Sequence, residues 1–428
     1  MIRAFAPKQL FFTLVTCTVC FFNTTAFAAE QKPVTQQEIA AGTKQYIPSQ
    51  QAQGGQYVVD KALSAYVNKV GQRLAKASES PNLPYEFVVI NDGTMNAWAL
   101  PGGKIAINRG LLVDLRDEAQ LAAVLSHEIS HVTRRHSARM QRKSSGTSLL
   151  GALAGLAVGA KIPQFQDLAM QGTGLVTQGF QANYSRDYET QADNVGMALL
   201  AKAGYDPLAA VEIQELFLSK SQNKNSTGIS AFFASHPPSK ERITNNKANL
   251  VALAVGGMRQ KAEYENAISV LLRDKPAYAL YQKAITEAGK NKNYSQALSY
   301  TEQAITLQPK ENLFWEFKGV ILQRQKLVRE SIAPLNKSVA ANSSFFRPYI
   351  YRGMAYKELA NWVQAESNLK ASMNMLPTQY AAYHLGEVNL KLSNREQAIK
   401  YFQAAAQGGG ELGQAAQQQL IRLQQGTQ

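Results

Sequence analysis

Apolar positions along this 428-residue chain follow several spacings in turn up to about residue 265, and one repeating spacing from about residue 276. The first is a largely apolar run over 10–22, behind Arg3 and Lys8 and ahead of the small-x-small end Ala26-Phe27-Ala28. That is the pattern of a cleaved secretory leader over 1–28, too short and wrongly flanked to span a bilayer. Residues 30–56 are polar and rich in Gln and Thr, with Gly54 and Gly55 near their end, and read as a mobile lead-in. Val59, Leu63, Tyr66, Val67, Val70 and Leu74 then return at helical spacing, which predicts an amphipathic helix ending before Pro81 and covering a core. Residues 85–90 are β-rich, and Ile105 and Ile107 alternate after the turn Pro101-Gly102-Gly103, so a small sheet is expected. Leu121, Val124, Leu125, Ile129 and Val132 recur at helical spacing behind Asp117, an N-cap with Gln120 as its third-position partner. The expected helix runs over about 117–143.

Residues 149–160 are apolar and glycine-rich but only about a dozen long, which cannot cross a bilayer. They read as a buried helix or a flap, or as a transient contact for a membrane surface or an unfolded client. A helix capped by Ser185 stops near Gly204, another starts after Pro207 and runs to about residue 220, and a polar loop follows over 221–230. Further on, Ala297, Ser331, Ala365 and Ala398 are 34, 34 and 33 residues apart, and Gly319, Gly353 and Gly386 are 34 and 33 apart. This is the period of tetratricopeptide helix pairs, whose small residues let two helices approach. Leu335, Leu369 and Phe402 fall in the second helix of each unit, Trp315 and Tyr349 early in the first, and Pro309 and Pro377 at unit ends. Three or four repeats with irregular caps are expected, leaving a concave groove for binding, with His384 a packing or groove residue. The fold class is thus α+β and mainly helical: a leader over 1–28, a domain with a small sheet over 29–265, and an α-solenoid over 266–428.

Composition narrows the partners. A 45% hydrophobic content is ordinary for a folded chain of two or three domains. The formal charge is +14, to which Arg3 and Lys8 of the leader contribute. Export sets nucleic acid aside, leaving a solvated surface or peripheral contact with anionic lipid. Both cysteines, Cys17 and Cys20, lie in the leader, so no disulfide and no redox pair are expected in the rest. Thr16 makes Cys17 a poor match to a lipoprotein site.

The chemistry centres on His127-Glu128-Ile129-Ser130-His131. Histidines four apart on a helix project from one face and reach one ion, while Glu128 points beside them, placed to take a proton from water. A zinc hydrolase site needs a third protein ligand and an open fourth position. Glu189 and Asp193 share a face of the Ser185 helix; with Glu189 on the metal, Asp193 would accept the free ring N–H of a ligand histidine. Taken alone, such a pair is more often a solvated face. His136, nine residues after His127, falls about 180° round a continuous helix and is expected to miss the ion. Arg134, Arg135, Arg139, Arg142 and Lys143 read as the basic end of that helix. His236, before Pro237 and Pro238, has a stiff backbone and could be held over the site; a surface histidine and a hydrogen-bond donor to a transition state are the competing readings. An endopeptidase commonly holds its substrate as an added strand; Gly103, Lys104, Ile105, Ala106, Ile107 and Asn108 form the candidate edge, an ordinary core strand being the alternative.

Four stretches in order, 96–103, 127–131, 185–193 and 235–238, make residues 80–245 resemble the M48 peptidases. That family groups gluzincins, in which a glutamate from a later helix completes a two-histidine zinc site, so the resemblance implies Glu189 as third ligand to one zinc per chain. Its periplasmic branch with C-terminal tetratricopeptide repeats implies a dual role. It promotes assembly of outer-membrane β-barrels and degrades misassembled ones, working with the barrel assembly machinery through the repeats. The same branch implies that His236 occupies the fourth position and keeps the enzyme latent. Ser235 stands where the family more often has threonine. The competing reading is an exported tetratricopeptide scaffold or chaperone with a structural or latent zinc site.

Overall fold

A computed structural model describes residues 33–143, 184–222, 233, 235–253 and 256–425. The leader, the apolar stretch over 149–160 and most of the polar loop over 221–230 lie outside the described residues. Among the described residues no helix is long and apolar enough to cross a membrane.

The expected mobile lead-in is instead a helix, α1 (Gln36–Ala52). Thr35 and Glu38 form a capping box, with Glu38 accepting from Thr35 N–H at 2.7 Å and Thr35 Oγ1 accepting from Glu38 N–H at 3.3 Å. Its buried face is largely polar, including Gln45, Gln50 and Gln51, so hydrophobic periodicity is silent there. The helix is held by fit and by side-chain hydrogen bonds. A Cβ on Gly42 would lie 1.8 Å from Pro101 O, and Tyr46 meets Trp98 edge-on at 6.2 Å.

α2 (Lys61–Ala77), capped by Asp60, buries Leu63, Val67, Val70 and Leu74 as its spacing predicts. The sheet has three strands, β1 (Glu86–Ile90), β2 (Ala97–Leu100) and β3 (Lys104–Asn108). Their order is β1-β3-β2, with β1 parallel and β2 antiparallel to β3. The candidate edge over 103–108 is therefore wrong: β3 is paired on both sides, and the outer strands are β1, whose free side is bridged at Ile90 by Gln56, and β2. Ile105 and Ile107 face the main core with Phe87, Val89 and Leu125, while Ala106 and Trp98 face Tyr46 of α1.

After one turn, α3 (Arg109–Leu112), comes α4 (Glu118–Thr133), whose Gln120 N–H donates to Asp117 Oδ1 at 2.9 Å as expected of the cap. The expected single helix to residue 143 breaks here. Arg135 takes the left-handed conformation (φ 56°) and α5 (His136–Lys143) starts in a new direction. Arg135 is not a free basic end, since it pairs with Glu38 of α1 at 2.9 Å. The remaining helices of this region are α6 (Arg186–Lys202), capped by Ser185, α7 (Leu208–Gln222) and α8 (Lys240–Leu250).

Two short helices, α9 (Lys261–Ala267) and α10 (Ser269–Arg273), lead into the repeats. Tyr264, Ile268 and Leu271 belong to the first core and Ala277 opens the second, so the cores change over a few residues past the expected division at 265. Four helix pairs follow: α11 (Lys275–Thr286) with α12 (Tyr294–Leu307), α13 (Asn312–Arg324) with α14 (Val328–Ala341), α15 (Arg347–Glu358) with α16 (Trp362–Met375), and α17 (Gln379–Lys391) with α18 (Arg395–Ala406). A final helix, α19 (Gly410–Gln424), caps them. Ala297, Ser331, Ala365 and Ala398 are fully buried, and Cβ atoms on Gly319, Gly353 and Gly386 would lie 2.6, 2.9 and 2.6 Å from Leu335, Leu369 and Phe402. His384 packs edge-on against Tyr380 and contacts Glu387 at 2.6 Å.

Residues Val34–Gln428 form one compact unit. Glu311, fully buried, accepts from Asn91 at 2.8 Å and from Tyr278 at 2.6 Å, and Arg109 stacks 3.5 Å from the Tyr278 ring centroid. Gln51 of α1 donates to Ser344 O at 2.7 Å and accepts from Phe346 N–H at 3.0 Å, tying the first helix to the third repeat.

Candidate metal centre

The centre forms where α4 meets α6. A Cβ on Gly196 would lie 3.2 Å from His127 N, so a glycine lets the two backbones come this close. His127 Nε2 and His131 Nε2, one turn apart on α4, stand 3.0 Å from each other. Glu189, in the first turn of α6, brings Oε2 to 3.5 Å from His127 Nε2 and Oε1 to 3.3 Å from His131 Nε2. From the loop before α8, His236 brings Nδ1 to 3.1 Å from Glu189 Oε1 and 3.4 Å from His127 Nε2. Four donors at zinc bonding distance around a tetrahedral ion lie about 3.3 Å from one another. The set has the spacing, the nitrogen and carboxylate chemistry and the burial of a zinc site, and its ligand atoms all fall within 4.8 Å of one another.

The surrounding groups orient these donors. Asp193 Oδ1 lies 2.9 Å from His127 Nδ1, the partner expected for it. Arg242 holds both carboxylates at once, with Nε and Nη2 on Asp193 at 2.7 Å each and Nη1 on Glu189 at 2.9 Å. Nη1 also donates to Pro237 O at 3.2 Å, so the same guanidinium pins the His236 loop. His136, expected to point away, sits behind His131, Nδ1 to Nδ1 at 2.9 Å. The break at Arg135 is what turns it back. Tyr184 stacks on the outer face of His131 at 4.0 Å.

Electrostatics follow from this packing. Burial opposes charge on His127, but the Asp193 and Glu189 carboxylates beside it win and hold its pKa up at about 10. The site is thus strongly attractive to positive charge. His131 is pushed well below the usual histidine range by burial, which suits a neutral ligand. Burial also works against the charge of Glu189 and Asp193, yet His236 and Arg242 respectively keep both below the usual carboxylate range. Glu128 goes the other way: burial raises it, with His236 Nε2 3.7 Å from its Oε1. A small cleft opens beside His127 and Glu128 and has an apolar side made of Val124, Met197, Ile213 and Phe217.

Every residue expected from the sequence to serve the ion is brought together, and the 103–108 strand is the middle strand of the sheet. Sequence reasoning missed Arg242, Tyr184 and the role of His136. Arg242 gives no local signal, because it follows the Ser239 cap as any first-turn arginine would. His136 was visible as a third histidine, but a helix assumed continuous hid its direction.

The profile of peptidase family M48 matches residues 61–249. Over 257 residues the chain is 30% identical to the beta-barrel assembly-enhancing protease of Escherichia coli (strain K12), covering 56% of this chain and 52% of that protein. It is 30% identical over 220 residues to the protein of the same name from Yersinia pestis, covering 50% and 44%. Mitochondrial metalloendopeptidase OMA1 of Schizosaccharomyces pombe is 34% identical over 180 residues, covering 42% and 50%. The chain spans about half the length of these relatives. The matched span contains α4, α6, the sheet and all four donors, and residues 61–249 are a peptidase family M48 domain.

Proposed function

We propose that this chain is a zinc-dependent endopeptidase of the periplasm that acts on unfolded or misassembled outer-membrane β-barrel proteins and promotes their assembly. Its repeats would engage these clients or their assembly machinery. The observation that carries the reading is the four-donor cluster beside a buried carboxyl, on the helices of an M48 domain. The client class comes from the name of the Escherichia coli relative, and the compartment from the leader pattern over 1–28.

His127, His131 and Glu189 would hold the ion. Bound there, zinc supplies Lewis acidity, which polarises a carbonyl and acidifies water. Glu128, its carboxyl raised by burial, takes the proton from the attacking water and returns it to the leaving nitrogen. The client strand adds to β2. Asn108 N–H donates to Asn96 O, and the pairing of Trp98 with Ala106 continues that alternation, so Ala97 and Ala99 direct their main-chain groups away from β3. Main-chain pairing at those two residues ignores client side chains, and the apolar side of the cleft adds a preference for one apolar side chain.

His236 is the latch. Its Nδ1 completes the donor set and its Nε2 faces Glu128, so a client has to displace it. This closed arrangement also favours the second reading, a scaffold whose centre never opens. Cleavage of an unfolded barrel protein by full-length chain separates them. Glu128→Gln is expected to keep its zinc and lose about 100-fold or more in rate, and equal cleavage by parent and variant would remove Glu128 from the chemistry. His236→Ala is expected to cleave faster than the parent; a variant no faster sinks the latch.

A further inference from the structure

Both ring nitrogens of His131 are committed. Nε2 faces Glu189 Oε1 at 3.3 Å and His127 Nε2 at 3.0 Å, and Nδ1 lies 2.9 Å from Nδ1 of the fully buried His136. Two imidazole nitrogens in that position share one proton, which one donates and the other accepts. A nitrogen that binds a metal carries no proton, so His131 serving through Nε2 keeps its proton on Nδ1 and donates it. His136 is left with one arrangement: a lone pair on Nδ1 and a proton on Nε2. That Nε2 lies 2.7 Å from Oε1 of Gln191, which only accepts. Arg139 Nη1 donates to the same oxygen at 3.0 Å, which fixes the orientation of the amide.

We propose that His136 is a positioning residue that sets the tautomer and ring angle of His131. This rests on the zinc reading above. The two ligand histidines are then oriented by different chemistries, a carboxylate behind His127 and a neutral imidazole behind His131. On an unbroken helix His136 would follow His131 by five residues, about 140° round the axis, and could not meet it. The left-handed Arg135 turns the chain back, the Glu38 pair holds that arginine, and Tyr188 stacks on the His136 ring at 4.6 Å with an interplanar angle of 12°. A neutral group that serves only as filling needs neither the reversal nor a donor-acceptor chain of fixed sense.

Zinc affinity of the full-length chain, measured by competition with a chromophoric chelator, tests this together with ring-nitrogen NMR of the zinc-loaded, ¹⁵N-histidine-labelled parent. His136→Leu is expected to bind zinc about 10- to 100-fold more weakly. His136→Asn, whose amide oxygen stands close to the Nδ1 position, is expected to stay within a few fold of the parent. The parent spectrum is expected to contain a neutral His136 protonated on Nε2. A folded leucine variant with parental affinity overturns the proposal, as does a His136 ring protonated on Nδ1. Should the leucine variant fail to fold, the asparagine variant and the parent spectrum still decide. A parent that takes up no zinc sinks the whole centre, whereas a parent that binds zinc alongside an equally tight leucine variant sinks the role of His136 alone.

Discussion

The α4–α6 crossing and the α13–α14 crossing both depend on a glycine that lets two helices touch, and they spend that closeness differently. At the first, Gly196 lies against His127, and the space gained is filled by two imidazoles, two carboxylates and a guanidinium. At the second, Gly319 lies against Leu335 and the space is filled by hydrocarbon. Apolar packing is non-directional and survives small shifts, whereas a buried charge network is stable only while every member keeps its partner. The two regions should therefore fail in different ways when one side chain is removed.

The largest difference is expected from Arg242→Leu. It leaves Asp193 buried without its guanidinium and takes one partner from Glu189, a loss of about 3–5 kcal/mol, and it frees Pro237 O and with it the His236 loop. The variant is expected to melt the M48 domain first, seen as exchange of α4 and α6 amides while α13–α18 stay protected. Supplying zinc should recover part of the loss, because the ion replaces the missing positive charge. Uniform loss of protection along the chain would mean that both regions unfold as one cooperative body.

Leu369→Ala is the matching cut in the repeats. It empties space beside Gly353, where a Cβ would lie 2.9 Å from Leu369, and is expected to cost about 2–4 kcal/mol by lost burial and cavity formation. Zinc should not change that value, since nothing in the cavity is charged. A zinc-dependent rescue of this variant would show that the joint through Glu311 and Gln51 carries stability from one region to the other.

The same contrast explains what could be read ahead of the structure. In the repeats each buried position recurs every 34 residues or so, and Ala297, Gly353 and Phe402 could be assigned by period alone. At the centre His127 and His131 were legible because helix geometry dictates their spacing, whereas Glu189 was assigned through the resemblance to the M48 peptidases. What was not legible depended on contacts made at long sequence distance. Arg242 meets Asp193 across 49 residues, and Arg135 meets Glu38 across 97. The β3 strand was recognised from its alternation, but alternation says nothing about how many neighbours a strand has; β2, read as a motif and not as a strand, turned out to be one of the two outer strands. The helix α1 escaped because its buried face is largely polar, and the two hydrogen bonds that hold Gln51 to the third repeat leave no period in the sequence.

That helix supports the smallest and most discriminating expectation. Thr35→Ala removes one half of the capping box, about 1 kcal/mol. The loss falls on the helix that carries Glu38 to Arg135, and so on the turn that aims His136 at His131. Amides over residues 36–42 are expected to exchange roughly five-fold faster, which is the equilibrium equivalent of 1 kcal/mol. Global unfolding in denaturant should barely move, because fraying of one end leaves both apolar cores intact. If α1 belongs energetically to the metal centre, zinc affinity falls slightly in the same variant; if it serves only as a strap between Pro101 and the third repeat, affinity is unchanged while exchange still rises. The two outcomes distinguish a helix that steadies the centre from one that merely lies across it.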